Sequence, residues 1–133
     1  CGIIGIYKPK DNAVLELYNG LLMLQHRGQD AAGIVTYDGK KFHEERGNGL
    51  VRDVFQEKSV KKLTGRIGLG HVRYPTAGTS DASEAQPFFV NSPFGVYLIH
   101  NGNLTNTEEK SKKIIPKSVK WLRKIKTQSP SYA

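Results

Sequence analysis

The chain has 133 residues, of which 38% are hydrophobic and 24% charged, with a formal net charge of +8. That is enough for one domain with a core, too short for two, and typical of a globular protein in water. No apolar run approaches the ~20 residues that span a bilayer, and a single cysteine excludes an internal disulfide or a metal site built from several cysteines of this chain.

The charge is uneven. Eight basic side chains against Glu108 and Glu109 give residues 107–133 a net charge of +6, leaving +2 for the first 106. The basicity is therefore a property of the tail and says little about what the main domain binds. The opening Cys1-Gly2-Ile3-Ile4-Gly5-Ile6-Tyr7 lacks the basic n-region of a signal peptide. A cytoplasmic location is expected.

Residues 2–7 are apolar and β-branched and predict a short buried strand. Asp11 or Asn12 can cap a helix running to about Gln25, with Val14, Leu17, Leu21 and Leu24 on its core face. Gly20 inside that helix costs up to ~1 kcal/mol relative to alanine, which points to close packing against a neighbour. His26-Arg27-Gly28-Gln29-Asp30 is polar and predicts a loop, and Ala31-Ala32-Gly33 leads into the strand Ile34–Tyr37. Asp38-Gly39 is a hairpin signal, with return through Lys41-Phe42-His43.

A second helix is predicted over about Val54–Leu63, then a strand over Arg66–Val72 and a loop over Tyr74–Thr79. Pro87–Val90 and Val96–His100 predict paired strands joined at Asn91-Ser92-Pro93, and Asn101-Gly102-Asn103 ends the second. Strands broken by two helices and joined by hairpin turns predict an α+β fold with mostly antiparallel sheets.

Four elements can carry chemistry. Cys1, at the head of the chain as given, sets a thiol beside its own α-amine. An ordinary α-amine has a pKa of about 7.7–8.0, so near pH 7 part of it is neutral and can serve as general base for the thiolate nucleophile. Gly2 removes bulk beside the attack path. Asn101-Gly102 is a favoured hairpin turn; in context it can also aim an amide N–H and a backbone N–H at one developing oxyanion. Arg73 reads either as a solvated strand-end charge or as a bidentate clamp for a carboxylate, such as that of a free amino acid. Gln25-His26-Arg27-Gly28 can hold the loop beside the nucleophile. A cysteine–histidine dyad through His26 or His71 remains open. Zinc could in principle be built from His26, His43, His71 and His100, but their spacing shows none of the pairing typical of ligands.

These elements occur in an order that resembles the class II, N-terminal-nucleophile glutamine amidotransferases. The segments Leu24–Ile34, Gly70–Gly78, Ser83–Phe88 and His100–Leu104 narrow the resemblance to the amidophosphoribosyltransferase family of the first committed step of purine synthesis. The resemblance covers about residues 1–109. It implies an N-terminal-nucleophile hydrolase αββα sandwich, here incomplete at its C-terminus, and removal of a pre-sequence or initiator Met to expose the α-amine. It implies that Cys1 is nucleophile and base, that Asn101 and Gly102 stabilise the oxyanion, and that Arg73, with Thr76 nearby, holds the glutamine α-carboxylate. The backbone around Arg27 and Gly28 then lines the nucleophile. Ammonia and glutamate form through a glutamyl thioester. In the family the ammonia then displaces pyrophosphate from phosphoribosyl pyrophosphate, with magnesium, in a second domain that this chain lacks. No cofactor is expected in the chain itself; a homo-oligomer is expected of the full-length enzyme, and neither a membrane nor nucleic acid as partner.

After about Glu109 the sequence departs from the family. The family continues with a helix and a Ser-Asp-Ser-Glu-type segment whose aspartate binds the substrate α-amino group, whereas residues 110–133 contain no aspartate. A shifted reading frame or a truncated gene model would give such a break. The tail could form a helix from about Pro116, and reads as a solvated basic end or as a contact for phosphate or an acidic surface. The competing readings are a glutaminase domain, an impaired fragment of that enzyme or another class II amidotransferase, and a small basic binding module.

Overall fold

The structure, a computed structural model, describes residues 1–75, 84–102, 105, 106 and 109. The expected tail helix, Thr76 and Asn103 lie outside them. Strand β1 spans Gly2–Tyr7, helix α1 Val14–Leu24, β2 Ala31–Tyr37 and β3 Phe42–Asn48. Two single-turn helices follow, α2 at Val51–Val54 and α3 at Glu57–Val60, then β4 at Ile67–Arg73, β5 at Phe88–Val90 and β6 at Val96–Leu98. Every described strand pair is antiparallel: one four-stranded sheet in the order β1-β4-β2-β3, and the β5-β6 hairpin.

Helix α1 covers one face of the large sheet. Val14, Leu17 and Leu21 are buried as their spacing requires, with Leu24 partly so, against Ala32, Ile34 and Val72. Asn12 Oδ1 accepts from the Val14 N–H at 3.2 Å, satisfying one of the unpaired first-turn donors. The helix lies low because its contact positions on β4 are glycines. A Cβ on Gly68 would come within 2.6 Å of Leu17 Cδ1, and one on Gly70 within 3.1 Å of Leu21 Cδ2. On the helix side, Gly20 sits against Ile4, as close packing demanded. Gly2 is buried between Leu24 and Val72, each 3.0 Å from a built Cβ. It therefore serves helix–sheet packing and does not clear an attack path as the sequence suggested.

The predicted helix over 54–63 is two separate turns. Phe55 leaves helical geometry at φ −102°, ψ 88° and Gln56 is extended. The break lets Phe55 drop into the core edge-on to Tyr18, with ring centroids 6.4 Å apart. Burying one aromatic outweighs a few intrahelical hydrogen bonds that water can replace.

The opposite sheet face takes the β5-β6 hairpin over β2 and β3. Phe42 packs on Tyr97 at 4.9 Å and on Phe89 at 6.3 Å. Arg46 Nη1 donates to Ala85 O and Pro87 O at 2.7 and 3.1 Å, fastening the segment before β5. Towards the β1 edge of the same face, Ile3, Tyr7 and Ile67 stay exposed.

Candidate active site

Cys1 stands at the head of β1, where four parts of the chain converge. Its α-amine donates to Arg27 O at 2.7 Å, and Arg27 Nε donates back to Cys1 O at 2.9 Å. The 3₁₀ turn Gln25–Arg27 that follows α1 brings this arginine into place. Gly28, next along, is buried against the end of β4: a Cβ there would lie 2.4 Å from the carbonyl carbon of Arg73. Only glycine lets the turn approach so closely that Tyr74 N–H can reach Cys1 Sγ, at 3.4 Å. That bond favours the thiolate over the thiol. Asn101 completes the group, with Nδ2 donating to Cys1 O at 3.3 Å. Gly102 follows at φ +154°, a backbone state that favours glycine.

The electrostatics favour the neutral form of the Cys1 α-amine. Partial desolvation, followed by the Arg27 charge, holds the Cys1 α-amine below its ordinary pKa. More of it is then neutral near pH 7. The two histidines that might have formed a dyad each bond a backbone carbonyl instead of Cys1. His26 Nδ1 bonds Met23 O at 2.9 Å. His71 is fully buried and Nε2 bonds His100 O at 3.1 Å. Burial pushes His71 down to about 4, with the nearby Cys1 amine and Arg73 also disfavouring its charge.

A cleft of about 490 Å³ is lined by His26, Gly28, Gln29, Asp30, Tyr74 and Pro75, and one of these, Tyr74, is the residue whose N–H reaches Cys1 Sγ. Such a volume lies within the usual range of small-molecule sites, about 300–1,000 Å³. Arg73, paired with the cleft residue Asp30, is no solvated surface charge: the residue is 5% exposed. Its Nη1 pairs with Asp30 Oδ2 at 2.6 Å and its Nη2 with Glu84. Both terminal nitrogens of the guanidinium are therefore already engaged by carboxylates. Sequence reasoning missed both acids, and it missed Tyr74 and Gln86. Asp30 and Glu84 sat inside segments that carried the resemblance, which was the one available signal. Among the described residues, no group of three or more His, Cys, Asp or Glu is placed to hold a metal ion.

No family model matches the chain. It is 55% identical over 131 residues, 98% of its length, to an amidophosphoribosyltransferase of Pseudomonas aeruginosa, and that alignment runs on past Glu109. The chain matches the N-terminal region of amidophosphoribosyltransferase. Solved structures agree with this. One described as the allosteric regulatory enzyme of purine biosynthesis superposes with a TM-score of 0.77 at 34% identity, over 100% of this chain and 26% of that one. The glutamine phosphoribosylpyrophosphate amidotransferase of Bacillus subtilis, solved with ADP and GMP, gives 0.72 at 34% identity, over 100% and 30%. The chain spans about a quarter of the length of its amidophosphoribosyltransferase relative. Its antiparallel α+β architecture is that of these neighbours.

Proposed function

We propose that this chain carries the glutamine-hydrolysing half of an amidophosphoribosyltransferase. The Cys1 α-amine takes the thiol proton, and Sγ attacks the side-chain amide carbon of glutamine. The C=O electron pair moves to oxygen, and the Asn101 side-chain amide and the Gly102 N–H donate to that oxyanion. The amine then returns the proton to the leaving nitrogen, the C–N bond breaks, and ammonia leaves a glutamyl thioester. Water attacks the thioester, the same amine relays its proton to sulfur, and glutamate is released. Arg73 orients the substrate through the α-carboxylate of glutamine, while the backbone at Arg27 and Gly28 forms the wall of the site. In the complete enzyme the ammonia would go to phosphoribosyl pyrophosphate on a further domain, in a cytoplasmic homo-oligomer.

The observation that carries this reading is the convergence on Cys1 of Arg27, Tyr74 and Asn101, from 26 to 100 residues away in sequence. Cys1→Ala should abolish both glutamate release and labelling by a glutamine-like electrophile. One residue added ahead of Cys1 should abolish hydrolysis while the thiol still reacts with small reagents. Labelling that survives Cys1→Ala would sink the assignment, and full activity with the added residue would move the base to a histidine.

A second reading, of a catalytically weak chain, has its own support. Arg73 is already engaged by Asp30 and Glu84, and residues 110–133 offer no aspartate for the substrate ammonium. Glutamine affinity measured on the chain decides between them: a dissociation constant ten- to a hundredfold weaker than that of a full-length relative fits about 1.5–3 kcal/mol for one lost charge-assisted contact.

A further inference from the structure

We propose that His71 and Gln86 form a buried clamp on the backbone of His100, and that this clamp sets Asn101 and Gly102 in place against Cys1. The inference rests on the oxyanion role proposed above for Asn101 and Gly102.

Strand β6 ends at Leu98, so no described strand pairing holds the two residues before Asn101. What holds them comes from side chains. Gln86 Oε1 accepts from the His100 N–H at 2.7 Å, and His71 Nε2 lies 3.1 Å from the His100 carbonyl. Both backbone polar groups of His100 are thus taken by buried residues, His71 at 0% and Gln86 at 5% exposure. The two arrive from different elements: His71 from the middle of the large sheet, Gln86 from the segment leading into β5.

A carbonyl oxygen can only accept, so His71 Nε2 must carry the proton, and burial, which disfavours the charged ring, leaves Nδ1 without one. Nδ1 is buried and has no partner among the described residues. Leaving a buried acceptor unpaired is unfavourable, and nothing in the core requires a polar ring here. The His100 carbonyl does require its donor. The imidazole therefore tolerates one orphaned nitrogen in order to place the other.

The clamp is itself held on rigid ground. Gly33 of β2 leaves room for Gln86: a Cβ there would lie 1.8 Å from Gln86 O. Arg46 of β3 fixes the residues on either side of Gln86. Across the sheet, His71 is paired with Ile3, two residues from the nucleophile. Sheet, clamp and oxyanion donors thus form one connected body, and the pre-organisation of donors is what lets them act on charge as it develops.

The test separates the clamp from mere core filling by restoring one atom at a time. His71→Gln keeps an N–H near the Nε2 position and His71→Leu removes it; Gln86→Glu keeps an acceptor and Gln86→Leu removes it. In glutamine hydrolysis by the 133-residue chain, each leucine variant should lower kcat about tenfold, the worth of one hydrogen bond, with KM changed less than about twofold. The polar variants should recover most of the loss. Nitrogen-15 NMR should show His71 as the neutral Nε2–H tautomer, and amide exchange at His100 should quicken in Gln86→Leu. Loss in KM alone, equal loss in polar and leucine variants, an Nδ1–H tautomer, or unchanged His100 exchange overturns the clamp. If the parent chain releases no glutamate, the proposed function fails, and tautomer and exchange decide the clamp by themselves.

Discussion

Cys1 and Arg27 hold each other through two opposed hydrogen bonds, amine to carbonyl at 2.7 Å and guanidinium to carbonyl at 2.9 Å. The same arginine thus fixes Cys1 in space and, second to partial desolvation, depresses the pKa of its α-amine. Arg27→Met should separate the two effects. Turnover should fall about tenfold through the lost bond, since bonds from charged donors are worth about 1.5–3 kcal/mol and this one is solvated. Removing the positive charge should also raise the amine pKa, so the rising limb of the pH–rate profile moves to higher pH. An unchanged limb would mean that Arg27 does not act on the amine.

Asn101 and Arg73 should fail in opposite ways. In the proposed mechanism Asn101→Ala removes a donor to charge that exists only in the transition state, so kcat should drop about a hundredfold, or about 3 kcal/mol, with little change in KM. Arg73→Lys cannot reproduce the planar fork. It should chiefly raise KM and also lower the melting temperature, because Asp30 and Glu84 lose part of their buried partner. Steady-state kinetics with the two patterns exchanged would refute both roles.

Two glycines of similar crowding should behave differently. A Cβ on Gly20 meets the movable end of Ile4 at 2.1 Å, whereas one on Gly28 meets the backbone of Arg73 at 2.4 Å. Ile4 can change rotamer, and alanine gains about 1 kcal/mol of helix propensity, so Gly20→Ala should be nearly neutral in thermal unfolding. Gly28→Ala must push strand end and turn apart, at about 1–3 kcal/mol, and should slow thiol labelling by drawing Tyr74 N–H away from Cys1 Sγ. Equal destabilisation by the two would show that Ile4 is not free to move.

His71 ties stability to pH. Its folded pKa lies near 4, below the ordinary histidine value of about 6.5. Between those limits the unfolded chain binds more protons, so stability is complete above about pH 6.5 and falls towards pH 4. The contribution is on the order of 3 kcal/mol. Denaturant unfolding from pH 7 to pH 4 should show this slope in the parent and a flatter one in His71→Gln. Identical slopes would mean that folding leaves the His71 pKa unshifted.

Local pattern made most of this architecture readable. Helical spacing from Val14 to Leu24 and the Asp38-Gly39 turn are decided within a few residues, and their elements formed where expected. The break at Phe55 was illegible because burial against Tyr18, a distant residue, decides it. The site divides in the same way. Residue type marked Cys1, Arg73 and Asn101 as able to do chemistry, but Arg73 meets Asp30 across 43 residues and Glu84 across 11, and only the folded sheet sets those pairings. Gly2 was misread for the same reason: its neighbours, Leu24 and Val72, are far along the chain.

Strand β4 carries different cargo on its two sides. Gly68, Gly70 and Val72 lie under α1, while His71 and Arg73 face the hairpin and the cleft. Alternation has a period of two, so one residue inserted or deleted within β4 turns every later side chain over. A guanidinium and an imidazole would enter the apolar core, and Val72 would face the cleft. The exposed tip around Gly39, with nothing within 4 Å of a built Cβ, has no such constraint. Changes of length can therefore be absorbed at the tip and hardly at all in β4.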